Sequence, residues 1–410
     1  MDFNDSPEEA EFRARARAWL AANAPEVNWA QLDQSDEPAM KAAGQAWQAR
    51  KADAGFACIS WPREWGGGGE SPVMQAIFDE EEGAYGIAFR FFGIGLGMCL
   101  PTLMAVGDAQ TCKRFVGPAL RGDEIWCQLF SEPGAGSDVA ASRTRAVRAN
   151  DGSGDWIVNG QKVWTSGAHY SDYGLLLART DPDVPKHKGL TMFWLDMRSP
   201  GIEVRPIHQA SGDSEFNEVF FADVRIRDCQ RLGEIGEGWK VALITLMNER
   251  LAVGMGSGPG WRELLALARE LPGADGRPAV EDQALREKLA DWYVGAEGIR
   301  LTRLRVMTAL SRGQAPGPEA SIGKIVSARQ MQDVATEALD RLDQFGIVAG
   351  EAGGADIAAF DYNFFFGGAL RIAGGSDEIL KNIIAERVLG LPADIRVDRD
   401  VAFKDIPRGR

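Results

Sequence analysis

The chain has 410 residues, 45% apolar and 25% charged, the balance of a folded globular protein with room for two or three units of ordinary domain size. Its net charge of −14 repels phosphate-rich partners, and no Lys/Arg run creates a local basic face, which argues against nucleic-acid binding. The five cysteines, Cys58, Cys99, Cys112, Cys127 and Cys229, are odd in number, far apart and without a C-x-x-C pair, so neither a disulfide framework nor a zinc knuckle is indicated.

The opening MDFNDSPEEAEFRARARAWL has early acids and no apolar signal core, and reads as a folded, cytoplasmic start. Ser6 is placed to cap a helix, Pro7 fits its first turn, Glu9 completes an S-x-x-E box, and Phe12, Ala16, Trp19 and Leu20 share one face. Helical spacing continues to about residue 126. Within it, Phe91–Gly107 is uncharged but rich in Gly and broken by Pro101, and falls short of the roughly 20 apolar residues of a membrane span. It reads as a buried helix or pocket wall. From 127 to 236 the pattern changes to short runs rich in Val, Ile, Phe and Trp, such as DWIVNGQKVW, YGLLLART and NEVFFADVRI, which predict an antiparallel sheet or small barrel. Helical periodicity returns over 237–410. The predicted class is therefore α+β, with the order helices, sheet, helices.

Two familiar site types are disfavoured. The glycines of GIGLG (Gly93, Gly95, Gly97) lack the third glycine of a dinucleotide loop, since position 98 is Met, and no βαβ unit surrounds them. The histidines are His169, His187 and His208, without ligand spacing, which removes a His-based metal site and most Ser/His hydrolases. The segment CQLFSEPGAGSDVAASRTRA is different, because it packs a turn, several backbone N–H groups and two hydroxyls into a few residues able to hold a polar ring edge or a phosphate. About thirty residues on, NGQKVWTSGA sets a Trp directly before hydroxyls and Gly.

These two segments, with WPREWGG at Trp61–Gly67, LGEIGEGWK at Leu232–Lys240 and GGSDEILKNIIAERVLGLP at Gly374–Pro392, occur in the order found in the acyl-CoA dehydrogenase family. The chain resembles that family over nearly its whole length. The resemblance implies a helical domain, a central antiparallel β-barrel and a helical bundle, with FAD as cofactor and an acyl-CoA thioester as substrate. It makes Gln128, Phe130 and Ser131 the counterparts of residues meeting the flavin ring or ribityl chain. Trp164 would stack beside the ring and Ser166 would bond near its reactive nitrogen. Ser137 would lie near the thioester and pantetheine.

The family's reaction needs a general base for the α-proton, commonly the Glu of Y-E-G-T. Aligned on Asn382 and Ile383, that position is Gly374, followed by Gly375 at the substrate and Ser376 facing the flavin, so the usual base is absent. Asp377 and Glu378 point to different helix faces, and Glu378 corresponds to the flavin side rather than to a base. Some branches carry the base in a Glu-Arg pair after the barrel, and here LMNERLAVG supplies Glu249 and Arg250. Its apolar neighbours Leu243, Leu246, Met247 and Leu251 would raise the carboxyl's pKa. Glu249 is thus the expected base, Arg250 a substrate-positioning residue, and Gly374 the donor of a backbone N–H to the thioester oxygen.

A second departure concerns the FAD pyrophosphate. The family's R-x-x-F-G element is replaced by ELPGADGRPAVEDQ, which keeps Gln283 as a cofactor residue and leaves Arg269 and Arg277 as substitutes. The later Q-x-x-G-G element is reduced to DQFGIVAG. Either those arginines have taken over or another subunit supplies the missing partners. The expectation is a dehydrogenase forming a trans-2-enoyl-CoA from a branched, cyclic or bulky acyl group, reoxidised by an electron-transfer flavoprotein. It would work as a homo-oligomer (dimer or tetramer) or as a heterotetramer with a related subunit. The alternatives are a desulfinase, oxidase or monooxygenase on the same fold, and a partner subunit that completes another chain's flavin site.

Overall fold

The structure is a computed structural model that describes residues 5–27, 32, 36–86, 91–253, 260–273, 275–312, 317–318, 320–348 and 355–407, without the side chains of 250–253, 307, 310, 311, 320, 355 and 356. The chain divides into two compact units. The first comprises Met1–Ile207, Ser214–Glu249 and Arg396–Arg410; the second comprises His208–Asp213 and Arg250–Ile395.

The first unit begins with α1 (Pro7–Asn23), α2 (Glu37–Asp53), α3 (Pro72–Gly83), α4 (Leu100–Val106) and α5 (Ala109–Arg121). The cap read from the sequence is present: Ser6 accepts from the Glu9 N–H, and Glu9 returns a bond to the Ser6 N–H. Phe12, Ala16 and Leu20 are buried against Trp47, Phe56 and Phe78, so the predicted face of α1 is the one that packs. The Gly-rich run forms a π-helical turn, Gly95–Cys99, that leads into α4, with Cys99, Leu100 and Leu103 fully buried. No helix among the described residues is long and apolar enough to cross a membrane.

Eight strands follow: β1 (Trp126–Leu129), β2 (Arg145–Arg148), β3 (Trp156–Lys162), β4 (Tyr173–Arg179), β5 (Leu190–Asp196), β6 (Ile202–Pro206), β7 (Asn217–Ile226) and β8 (Arg231–Leu232). They form one sheet in the order β6-β7-β3-β2-β4-β5-β8, with β1 added against β4. The sheet is not purely antiparallel, as expected from the strand spacing, because β1 and β2 both run parallel to β4. A strand entering from a helical segment can add parallel to a distant neighbour without needing a hairpin. β4 reads YGLLLAR and is buried at every position. Leu175 and Leu177 enter the core shared with α4 and α5, while Leu176 and Ala178 enter the core on the other face. That continuous apolar run is what a strand covered on both faces requires.

α6 (Gly238–Val253) leaves the sheet, and its Val241, Ala242 and Leu246 join the core of the first unit. The second unit contains α7 (Trp261–Glu270), α8 (Gln283–Ser311), α9 (Ala320–Arg341), α10 (Ala355–Leu370) and α11 (Asp377–Arg387). Its core is built from Leu264, Ala268, Leu285, Leu289, Val334, Ala338 and Phe360. The described part of the last segment belongs to the first unit, where Phe403 lies under the Arg179 guanidinium, 3.8 Å from the ring centre.

Candidate active site

In the first unit the site is assembled from β1, the loop after it, the end of β3 and α6. Along α6, Ala242, Thr245, Leu246 and Glu249 follow helical spacing on one face, the face that packs inward. Thr245 is fully buried, and its hydroxyl meets that of Thr102 on α4 at 2.9 Å. One turn later the Glu249 carboxylate accepts a hydrogen bond from the side-chain amide of Gln128 on β1, 3.2 Å from Nε2 to Oε2. The other amide atom, Gln128 Oε1, is buried and has no hydrogen-bond partner among the described residues. The buried Cys99 thiol is pushed up by burial, with Cys127 and the Glu249 charge adding to the shift. The apolar setting read along α6 is half realised: Leu246 packs, whereas Leu243 and Met247 lie on the opposite, exposed side. The side chains of Arg250 and Leu251 are not among those described.

The two loops singled out in the sequence are zipped together. The Val163 N–H donates to the Ser131 carbonyl at 3.0 Å. Lys162, with no exposed surface, donates to the Phe130 carbonyl at 2.9 Å and to Glu132 at 2.8 Å. Glu132 also accepts the N–H groups of Arg143 and Thr144. Burial by itself pushes the Glu132 carboxyl up, but the Lys162 charge and these bonds hold it below the usual carboxylate range. Arg179 secures the next stretch by donating to the carbonyls of Ala140, Ser142 and Lys186, and burial lowers its pKa to about 10. Phe130 presents a buried ring to the core rather than to an open site, and Ser131 and Ser166 are half-buried. Ser137 is exposed.

Trp164 stands out at the end of β3. Its indole is 58% exposed, and its φ of +58° lies in the left-handed region that side chains rarely adopt. The conformation is held from both sides: Val163 is bonded to Ser131, and Thr165 exchanges backbone hydrogen bonds of 3.0 and 3.1 Å with Asn217. The Asn217 side-chain amide adds a third bond to the Thr165 carbonyl, and Phe216 meets the indole edge-on at 6.1 Å. An exposed flat ring held by a strained backbone, together with a buried acceptor lacking a donor in the same unit, fits a planar polar cofactor such as a flavin.

In the second unit, Gly374 and Gly375 occupy left-handed conformations at +65° and +90° in the loop between α10 and α11. Lys324, nearly fully buried, donates to the Gly375 carbonyl at 2.8 Å and lies 3.6 Å from Asp377, which also pairs with Arg371 at 2.9 Å. Ser376 caps α11, its hydroxyl accepting from the Ile379 N–H. Glu378 is exposed, its carboxyl held below the usual range by a backbone hydrogen bond and the Ser376 hydroxyl. Gln283 opens α8 and donates to Glu287, away from that loop in sequence. Of the two arginines proposed for a pyrophosphate, Arg277 is paired with Asp275 and Glu281, and Arg269 is exposed at the end of α7.

The sequence reading missed Glu132, Lys162, Arg179, Asn217 and Lys324, which fasten the two loops of the first unit and the turn before α11. A signal existed for one pair. A lone Lys ending an apolar strand and a Glu inside a turn both need partners if buried.

Family models for the acyl-CoA dehydrogenase N-terminal, middle and C-terminal domains match residues 6–123, 127–224 and 236–389. The chain is 40% identical over 347 residues to the acyl-CoA dehydrogenase FadE34 of Mycobacterium tuberculosis, covering 84% of this chain and 46% of that protein, so it spans about half of that relative. It is 36% identical over 395 residues to the acyl-CoA dehydrogenase IpdE1 of the same organism, covering 94% of this chain and 98% of that one. Among solved structures, the Tcur3481-Tcur3483 steroid ACAD matches with a TM-score of 0.79 and 27% identity over 96% of this chain and 100% of that one. The ChsE4-ChsE5 complex from M. tuberculosis matches with a TM-score of 0.78 and 26% identity at the same coverage. With all three of its domain models matched in order, and a full-length relative at more than a third identity, the chain belongs to the acyl-CoA dehydrogenase family, flavoprotein oxidoreductases that use FAD.

Proposed function

We propose that the chain dehydrogenates a bulky, ring-bearing acyl-CoA of the steroid class to its trans-2-enoyl-CoA, with Glu249 as general base. FAD, when bound, supplies the acceptor for the β-hydrogen. The chain's own residues do the rest. Glu249 takes the α-proton, and the Gly374 N–H donates to the thioester oxygen so that negative charge developing there is stabilised. Trp164 offers its exposed face to the flavin, Gln128 and Ser131 offer polar atoms to its edge, and Ser166 stands beside them. Ser137, Arg250 and Gly375 are assigned to the acyl-CoA, and Ser376, Glu378 and Gln283 to the cofactor. The observation that carries the reading is the Gln128–Glu249 hydrogen bond, because it brings a carboxylate against the strand that runs directly into the Phe130–Ser131 loop.

Gly374 has no side chain where the family's usual Glu would stand, and a similar structure described as a steroid ACAD supports the bulky substrate. Pairing of Arg277 with two carboxylates leaves it poorly suited to a diphosphate, which favours a heteromeric assembly with a related subunit supplying that contact. An electron-transfer flavoprotein is the assigned electron acceptor.

The test is anaerobic mixing of the FAD-loaded protein with steroid-class acyl-CoA, followed by analysis of the product. Bleaching of the flavin with formation of the enoyl-CoA is expected, and Glu249→Gln should retain FAD but reduce more than a thousandfold more slowly, on the order of a general base's contribution. Normal reduction by Glu249→Gln, or a product other than the enoyl-CoA, would sink the reading.

A further inference from the structure

We infer that the segment Asp398–Asp405 is a clasp that positions the Gly136–Ser142 stretch for acyl-CoA, with Lys186 and Phe403 as its two points of attachment; this rests on the reading of Ser137 as an acyl-CoA residue. The first attachment is ionic. Lys186 is buried in the turn after β4, and its ammonium donates to Asp138 and to Asp398, both at 2.6 Å. Burial alone would lower the Lys186 pKa, and the two carboxylates more than reverse that. The same hydrogen bond holds the Asp398 carboxyl below the usual carboxylate range. One ammonium thus joins the residue directly after Ser137 to the last segment of the chain.

The second attachment is a buried ring. The Arg179 guanidinium lies 3.8 Å and the Arg143 guanidinium 5.2 Å from the centre of Phe403, a placement that the negative face of the ring favours. Arg179 in turn donates to the carbonyls of Ala140, Ser142 and Lys186. Backbone bonds fix the register of the segment: the Phe403 N–H donates to the Val184 carbonyl at 2.9 Å and the Lys404 N–H to the Pro182 carbonyl at 3.0 Å. Lys404 also pairs with Asp183 at 2.7 Å. Stretches 138–143, 182–187 and 398–404 therefore meet at one place within the first unit.

The loop gains from such a hold. Glu132 and Ala135 exchange backbone bonds at its start, and Glu132 accepts the N–H groups of Arg143 and Thr144 at its end. Between them Gly136, Ser137 and Asp138 are exposed, and a Cβ added at Gly136 would meet nothing within 4 Å. A glycine-containing loop left free there would have to be ordered by the ligand itself, and that ordering is subtracted from affinity. The Lys186–Asp138 bond orders it beforehand, so the clasp acts on binding of the substrate and not on the chemical step.

The test uses the FAD-loaded protein and two variants, Phe403→Ala, which removes the ring, and Asp398→Asn, which weakens the ionic attachment while keeping its shape. Hydrogen exchange is followed in peptides covering 133–142, binding of free CoA is measured by calorimetry, and anaerobic flavin reduction is measured at increasing acyl-CoA. Exchange over 133–142 should quicken while that of β4 and α5 is unchanged. The Kd for CoA should rise about tenfold in Phe403→Ala and about threefold in Asp398→Asn, with FAD content and the saturated rate of reduction as in the parent. Unchanged exchange, unchanged CoA affinity, or a loss of FAD and of β4 protection together with that of the loop overturns the positioning role. Ser137→Ala in the same CoA titration tests the reading beneath it: weaker binding is expected, and binding equal to the parent's would remove Ser137 from the acyl-CoA site and the clasp's role with it.

Discussion

Two buried charges carry much of the site's precision at the scale of single residues. Lys162 ties the Phe130 carbonyl to Glu132 from the last position of β3, directly before the Val163–Trp164 step, so one ammonium joins the two loops assigned to the flavin. Lys162→Met would leave Glu132 buried beside an apolar chain and should cost about 3–5 kcal/mol in chemical denaturation, with release of FAD before global unfolding. Replacing both partners together by apolar residues of similar volume should cost less than Lys162→Met alone. The pH dependence follows from the direction of the Glu132 shift. A carboxyl held below its unfolded value contributes stability that is complete above about pH 4.3 and is lost as pH falls through the lower folded value. The difference in melting temperature between the parent protein and Glu132→Gln should therefore be greatest near neutrality and shrink below about pH 4. A constant difference across that range would show that the carboxylate's charge is not what stabilises the loop.

Among the elements, those with a strong local pattern could be read in advance. The capping box of α1 needed three residues, and the buried run of β4 needed only its composition. The proposed base on α6, Glu249, was reached by resemblance, and helical spacing from the buried Ala242 and Thr245 explains why that position faces inward. What spacing did not reveal was the partner of Glu249, because Gln128 is 121 positions away and meets it only through the parallel addition of β1 to β4. The loop before α11 shows the same limit. GGSD is legible as a turn with a cap, and both glycines do take left-handed conformations, but its fastening to Lys324 is a long-range event. Ser376→Ala removes the N-cap acceptor and should cost about 1 kcal/mol of stability, measured by thermal unfolding. A Gly at 376 should cost only a few tenths of a kcal/mol, which distinguishes a capping role from packing.

For the whole molecule, acidity, helix-sheet-helix order and family were all present in the chain itself. The proposed heteromeric assembly predicts that the chain purified alone carries well under one FAD per chain, and that co-expression with a related subunit raises occupancy to one and increases the mass measured by light scattering. Full occupancy in a homo-oligomer would refute the need for a partner. The sequence by itself determined the element types, because these depend on local periodicity, and through its motifs it pointed to Gly374 as a position without the usual Glu and to Glu249 as the proposed base. Only the tertiary structure decided that Glu249 meets an amide, that Lys162 welds the two loops together, and that Trp164 is held exposed against its backbone preference. Those are contacts between segments far apart in the chain, and a buried charge or a strained dihedral exists only once the surrounding elements have closed on it.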